Sequence, residues 1–255
     1  MKTIALITGA TSGIGRATAK VLAANNFNLI LTGRREKLLQ EIEEEIIKAS
    51  DAEVYTIAFD IRNYEETENA INSLPEEWKN IGLLINNAGL ASGLDPVHEA
   101  RLSDWESMID TNVKGLLYIT RLISPRMVEA ASGHIINISS IAGREAYPNG
   151  SVYCATKHAV EAITKSMRLD LLKYGIKVGS ISPGMVETEF SLVRFHGDNE
   201  KAAKVYEGLT PLFAEDIAEA ILFMATRPPH VNIDDLLIMP TAQGSARDVH
   251  RNGRL

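Results

Sequence analysis

The sequence predicts an α/β protein, a single Rossmann-type doubly wound parallel sheet of about seven strands with helices on both faces. Three observations carry that prediction. Short apolar runs alternate with helical patterns along the whole chain. Most of the runs lack two-residue alternation, as strands buried on both faces do. A glycine-rich turn follows the first run directly and opens a helical stretch.

The candidate strands are Thr3–Thr8, Asn28–Thr32, Glu53–Phe59, Leu83–Asn86, Gly133–Ser139, Lys177–Ser182 and Leu236–Met239. A helix is expected to start near Arg16. The clearest helical pattern is Arg35–Ala49, where Leu38, Leu39, Ile42, Ile46 and Ile47 recur at three- and four-residue spacing; Glu43–Glu45 fill the opposite, solvated side. Further helices are expected over Ser103–Ala131, Ser151–Tyr174 and near Glu215–Ala225, and Pro125 should end or kink the first of these locally. No repeat, low-complexity linker or composition break divides the chain, so residues 1–255 read as one domain.

Composition narrows the function classes. The 255 residues are 45% hydrophobic and 23% charged, an ordinary globular balance. Lys plus Arg number 26 against 33 Asp plus Glu, a net charge of −7, and no basic tract offsets it, which argues against nucleic acid as a partner. The single cysteine, Cys154, excludes an internal disulfide or a cysteine-rich zinc site, and the six histidines show no ligand spacing, so no metal is expected. No apolar run is long enough to cross a bilayer, and the strand-like start reads as lacking a secretory signal; a cytoplasmic protein without a membrane partner is the expectation.

The first strand runs into Thr8-Gly9-Ala10-Thr11-Ser12-Gly13-Ile14-Gly15. Glycines there let the backbone turn sharply and approach a pyrophosphate, and a helix N-terminus supplies unpaired amides. The spacing, Gly-x3-Gly-x-Gly, departs from the common dinucleotide fingerprint, and a tight β-α connection is the plainer alternative. The second strand ends Leu31-Thr32-Gly33-Arg34-Arg35, with none of the acid that usually bonds a ribose 2′-hydroxyl. Gly33 leaves a 2′-phosphate unopposed, and the planar fork of Arg34 can pair with it, which favours NADP(H) over NAD(H). Arg35 either helps or simply opens the next helix.

Tyr153 and Lys157 lie four residues apart on a predicted helix and so share a face. A tyrosine is a poor base near neutrality, since its unperturbed pKa is about 10. Lowering that by about 2 to 3 takes roughly 3 to 4 kcal/mol, the scale of one unit charge at about 4 Å in a medium of effective dielectric near 20. Lys157 and an oxidised nicotinamide would supply it. Ser140 ends a predicted strand 13 residues before Tyr153, where open α/β sheets place ligands, and can hydrogen-bond a substrate oxygen. Asn86-Asn87-Ala88-Gly89 follows the fourth strand and either permits close approach of the adenosine ribose or is a plain turn.

Taken in order, Thr8–Gly15, Asn86–Gly89, Ser140, Tyr153-Cys154-Ala155-Thr156-Lys157 and Pro183-Gly184 resemble the short-chain dehydrogenase/reductase family over nearly the whole chain. The resemblance implies that Tyr153 is the general acid/base, that Ser140 orients the reacting oxygen, and that Lys157 holds the nicotinamide ribose. It implies a fourth catalytic member in Asn112, supporting a water-linked proton relay from a kinked helix. It places Asp60 at the adenine, Thr188 at the carboxamide, and Gly9, Thr11, Ser12, Gly13, Ile14, Gly15, Arg34, Arg35, Asn87, Pro183, Gly184 and Val186 around the rest of the cofactor. A homotetramer is implied by resemblance alone.

For the substrate, Gly143–Pro148, Val186–Phe195 and Asp235–Thr241 resemble a narrower group, the NADP-dependent 3-hydroxy acid dehydrogenases, also described as serine or L-allo-threonine dehydrogenases. Arg194 is then the candidate partner of the substrate carboxylate, on a lid around residues 186–213, with a solvent-facing or interface arginine as the alternative. Tyr147 is a second candidate pocket residue. Rival readings are a reductase of 3-oxoacyl thioesters, a reductase of sulfonated aldehydes, and a nucleotide sensor without chemistry. The complete Asn112, Ser140, Tyr153, Lys157 set argues against the last.

Overall fold

A computed structural model describes residues 2–251. Seven parallel strands form one sheet in the order β3-β2-β1-β4-β5-β6-β7. They are β1 (Thr3–Thr8), β2 (Phe27–Gly33), β3 (Val54–Ala58), β4 (Ile81–Asn86), β5 (Gly133–Ile138), β6 (Ile176–Pro183) and β7 (Asp235–Ile238). The order reverses between β1 and β4, which leaves a crevice at their carboxyl ends, where such sheets bind ligands. Each predicted strand is present, with ends displaced by up to two residues.

The apolar runs lack alternation because each strand feeds two cores. From β1, Ala5 and Ile7 join Leu22, Leu39, Ile217 and Ile221 on one face. Ile4 and Leu6 join Ile71, Ile119, Ile123 and Ile176 on the other. The first face is covered by α1 (Gly13–Ala24), α2 (Glu36–Ala49) and a C-terminal helix, Ala214–Ala225. The second is covered by α3 (Tyr64–Asn72) and, after α4 (Leu102–Ile109), by α5 (Leu116–Ala130) and α6 (Ser151–Leu171).

Two expectations need correction. The stretch read as one helix over Ser103–Ala131 is interrupted at Asp110–Gly115 by a π-type turn, which carries Asn112. Pro125 does not end it: α5 continues through Pro125 to Ala130. Both Pro125 and Arg121, whose carbonyl loses its helical donor, are exposed, so water can take that bond. The sequence reading also missed α3, which is capped by the Asn63 side chain accepting from the Glu66 amide. Between residues 186 and 213 two short helices appear, α7 (Phe190–Arg194) and α8 (Asn199–Lys204), so the C-terminal helix Ala214–Ala225 is α9. Among the described residues no helix is long and apolar enough to cross a membrane, and no group of three or more His, Cys, Asp or Glu converges to hold a metal ion. Cys154 is a buried, free thiol.

Candidate active site

The crevice at the β1/β4 switch opens into a cleft of about 350 Å³. Every residue expected at the cofactor lines it except Gly15. Gly15 lies beneath the glycine turn instead. A Cβ there would sit 2.4 Å from the Gly9 carbonyl oxygen and 2.5 Å from Asn87 Nδ2, so this glycine lets α1 pack against the turn.

The turn itself is shaped for close approach. Gly9 and Gly13 have φ of +66° and +51°, and a Cβ on Gly9 would lie 3.0 Å from Ala88 Cα. Asn87 braces the turn from the β4 side, its Nδ2 donating to the Thr8 and Gly9 carbonyls at 2.8 and 3.1 Å. Thr8 completes the brace by accepting from the Asn87 and Ala88 amides at Oγ1. Sequence reading gave Asn87 a ligand role and Thr8 none. The bonds span 77 or more residues, and only the side-chain chemistry of a threonine ending β1 hinted at them.

The residues present fit a phosphorylated dinucleotide. Ser12 caps α1 without a side-chain hydrogen bond, so the first amides of that helix face the cleft with no protein acceptor on them. Arg34 is exposed at the cleft edge and, among the described residues, makes no hydrogen bond or ion pair. Arg35 behaves differently. Its guanidinium donates to Thr11 Oγ1 and Ser12 Oγ and pairs with Glu189 at 3.0 Å, tying the glycine turn to the segment before α7. Asp60 lines the cleft with its carboxylate held by Arg62, a residue sequence reading did not single out. Burial raises the Asp60 pKa, but the bonds and charge of Arg62 outweigh it and hold the carboxyl below its usual range. Thr188 packs its methyl against Gly13, and its hydroxyl accepts from the Phe190 amide.

Three of the four proposed catalytic side chains, Ser140, Tyr153 and Lys157, line the same cleft, and Asn112 is buried behind it. Lys157 is buried and its Nζ donates to the Ile138 carbonyl at 2.8 Å. That fixes the ammonium beside the end of β5 with two donors spare. Burial draws its pKa down to about 8, against the opposing charge of Glu161. Ser140 Oγ accepts from the Ala142 amide at 3.1 Å. Asn112 accepts from the Leu90 amide, donates to the Leu90 carbonyl (both 2.8 Å), and donates to Thr156 Oγ1 at 3.1 Å. The π-type turn presents it there, one turn of α6 from Tyr153.

Tyr153 is buried, and that burial, reinforced by Tyr147, pushes its phenol well above the usual tyrosine value; Arg194 and the nearby Ser140 hydroxyl act in the other direction. Among the protein's own groups the balance therefore runs opposite to the lowering expected from Lys157. Its Nζ is 6.0 Å from the ring centroid, and desolvation of the phenol prevails.

Beyond Tyr153 lies a smaller pocket lined by Tyr147, Arg194, Trp105 and Met108. The Arg194 guanidinium sits over the rings of Tyr153 and Phe190, 5.0 and 5.1 Å from their centroids, and donates to Tyr147 Oη at 3.1 Å. Its Nε is buried without a hydrogen-bond partner. Phe190, which sequence reading passed over, packs edge-on to Tyr153 at 5.7 Å. Trp78 packs on Tyr55 against the second core.

A switch-point cleft lined by a buried tyrosine, lysine and serine, with an asparagine packed behind them, defines a nucleotide-binding oxidoreductase. Residues 3–198 match the family model described as short chain dehydrogenase, and the chain belongs to that family. It is 48% identical over 251 residues to the NADP-dependent 3-hydroxy acid dehydrogenase YdfG of Salmonella typhi, covering 98% of this chain and 100% of that one. It is 45% identical to sulfoacetaldehyde reductase 2 of Chromohalobacter salexigens, covering 95% and 96%. Among solved structures it is similar to the closed form of a serine dehydrogenase complexed with NADP+, with a TM-score of 0.91, 45% identity and coverage of 98% and 100%.

Proposed function

We propose that this protein is an NADP(H)-dependent dehydrogenase of short 3-hydroxy acids, such as serine, L-allo-threonine, 3-hydroxypropionate or 3-hydroxyisobutyrate, and of their 3-oxo or semialdehyde forms. The observation that carries the reading is Arg194. Its guanidinium stacks on the ring of Tyr153, its Nε lacks a protein acceptor, and no acidic side chain pairs with it among the described residues. A carboxylate two bonds from the reacting carbon satisfies that fork while its hydroxyl reaches the phenol. The exposed Arg34 and the names of the relatives support NADP(H).

When bound, the nicotinamide supplies or accepts the hydride. The chain's residues handle the proton and the geometry. As the phenolate Tyr153 takes the hydroxyl proton in oxidation, and as the phenol it returns one in reduction; Ser140 holds the reacting oxygen, and Lys157 offers its two spare donors to the ribose. Asn112, locked on Leu90 and Thr156, holds the helix that carries the relay. Enclosure by Arg194 and Phe190 keeps water from the phenol. Residues 186–213 act as the lid, with the Arg35–Glu189 pair linking it to the glycine turn.

The test is a screen of NADP+ reduction with the four hydroxy acids and a neutral secondary alcohol, beside NADPH-dependent reduction of sulfoacetaldehyde and of a 3-oxoacyl thioester. Arg194→Ala should raise KM for the acids by roughly 10- to 100-fold and KM for the neutral alcohol far less, any loss of kcat from opening the phenol to water being shared by both. Equal rises in KM on both, or best turnover on the thioester, would overturn the reading. A homotetramer is the assembly we infer. Its support is the exposed large apolar side chains on different sides of the sheet, Leu117 on α5, Leu169 and Leu172 at and just past the end of α6, Phe223 on α9 and Leu237 on β7. Two isologous contacts generate a closed tetramer, and light scattering decides it.

A further inference from the structure

We propose that Asp104 and His196 form a clasp that positions Arg194, so that both are positioning residues for acidic substrates. The inference rests on the carboxylate reading of Arg194 given above. It starts from an irregular strap between β4 and α4. In that strap Gly93 adopts φ +72°, and a Cβ there would sit 2.9 Å from Asp104 Oδ2 and 3.2 Å from Asp95 Oδ2. Only glycine fits, and its amide donates to the Arg194 carbonyl at 2.9 Å. The backbone of Arg194 is thus pinned to the strap.

Two residues further on, the chain turns back. His196 takes the left-handed conformation at φ +54°, with Gly197 at +90°. A histidine in that region carries local strain that something must compensate. The turn brings His196 Nε2 to 3.4 Å from Asp104 Oδ2. Asp104 is 7% exposed, its Oδ1 accepts from Ser92 Oγ at 2.7 Å, and its Oδ2 has no hydrogen bond apart from this ion-pair contact. A carboxylate oxygen so enclosed and without a donor is costly, and a ring nitrogen is the group that reaches it. His196 is the histidine that faces it, while Arg194, two residues earlier, points to Tyr147 and the Tyr153 ring.

Arg194 is therefore held from both sides, by the Gly93 amide at its own carbonyl and by the Asp104–His196 contact just beyond it. Tyr147 Oη and the two aromatic rings alone leave the guanidinium free to slide along a face, because stacking is weakly directional. The clasp removes that freedom. It acts on where the guanidinium sits, not on the proton or hydride, so loss of the clasp should weaken recognition of the carboxylate and leave turnover of a neutral substrate alone.

His196→Asn is the informative variant, since asparagine tolerates the left-handed backbone but removes the imidazole that reaches Asp104. It should raise KM for a hydroxy acid by about five- to tenfold, the scale of one coupled side-chain pair, with kcat within about twofold of wild type. KM for NADP+ and for a neutral secondary alcohol should not move. Asp104→Asn should do the same, the double variant should be no worse than either single one, and His196→Lys should restore the acid KM. Thermal unfolding of each variant confirms that it folds; His196, nearly half exposed, gives a folded variant if Asp104→Asn does not. Additive losses, equal losses on the neutral alcohol, or failure of lysine to rescue would overturn the clasp. An acid KM untouched by Arg194→Ala overturns the carboxylate reading, whereas a response to Arg194→Ala without one to His196→Asn overturns the clasp alone.

Discussion

Gly15→Ala offers a sharp test of how the glycine turn is built, because the collision is with backbone. The new Cβ would lie 2.4 Å from the Gly9 oxygen and 3.0 Å from the Gly9 carbonyl carbon, with Asn87 Nδ2 at 2.5 Å. The side-chain amide can swing away, but only by giving up its bonds to the Thr8 and Gly9 carbonyls. Overpacking of this kind costs about 1 to 3 kcal/mol. Each neutral hydrogen bond lost adds about 0.5 to 1.5 kcal/mol. Overpacking and two lost bonds total about 2 to 6 kcal/mol, a fall in Tm of roughly 4 to 24 °C for a chain of this size. The turn that meets the pyrophosphate moves with the Gly9 carbonyl, so KM for NADP+ should rise as well. Differential scanning calorimetry with and without NADP+, together with initial rates, measures both effects. A variant with wild-type Tm and cofactor KM would refute the packing role of Gly15.

Three further outcomes are expected. Arg34→Asp should reverse the cofactor preference toward NAD(H), read as the ratio of kcat/KM for the two cofactors; unchanged selectivity removes Arg34 from the phosphate site. Lys157→Met should abolish turnover yet stabilise the fold at pH 7. The buried ammonium has its pKa drawn from 10.5 to about 8, a penalty near 3 kcal/mol that is full below pH 8 and vanishes as pH rises through the unfolded value of 10.5, less about 1 kcal/mol for the lost bond to Ile138. Denaturant titrations between pH 7 and 10.5 should show the gain shrinking, and a gain that is constant with pH argues against it. His134, buried in β5 with both ring nitrogens unpaired, has its pKa drawn from 6.5 to about 3 by burial and by Lys177. Its neutral form stabilises the fold above pH 6.5, and that contribution is lost as pH falls toward 3, by up to about 4 to 5 kcal/mol; His134→Leu should flatten this acid limb.

The strands were legible because β1, β2, β4, β5 and β6 bury side chains on both faces, and burial of that kind leaves uninterrupted Ile, Leu and Val. The helix α3 was not, since its buried side is only Thr67, Ala70 and Ile71, too sparse to show a period. Which of its two expected effects Pro125 would have was hidden for a related reason. Its cost depends on whether the freed carbonyl meets water, and exposure of Arg121 is a tertiary fact. At the site, the residues that converge on the cleft came from local motifs in known positions along the chain. The contacts that hold them there did not, because Asn87 to Gly9, Arg35 to Glu189 and Asp104 to His196 join segments 78, 154 and 92 residues apart. Chain-local patterns carry no record of such meetings.

The π-type turn at Asp110–Gly115 also sets a rule about chain length. A π turn holds one residue more than the regular helix around it, and each residue of an α-helix rotates its successors by about 100°. Removing one residue between Met108 and Leu116 would restore regular helix and leave the faces of α4 and α5 where they are, because the wide turn already absorbs the rotation of the extra residue. Ile119, Ile123 and Met127 would stay in the second core. What would go is the seat of Asn112, whose bonds to Leu90 and Thr156 are made from that wide turn. A single-residue deletion here is therefore one that the fold absorbs and the site does not.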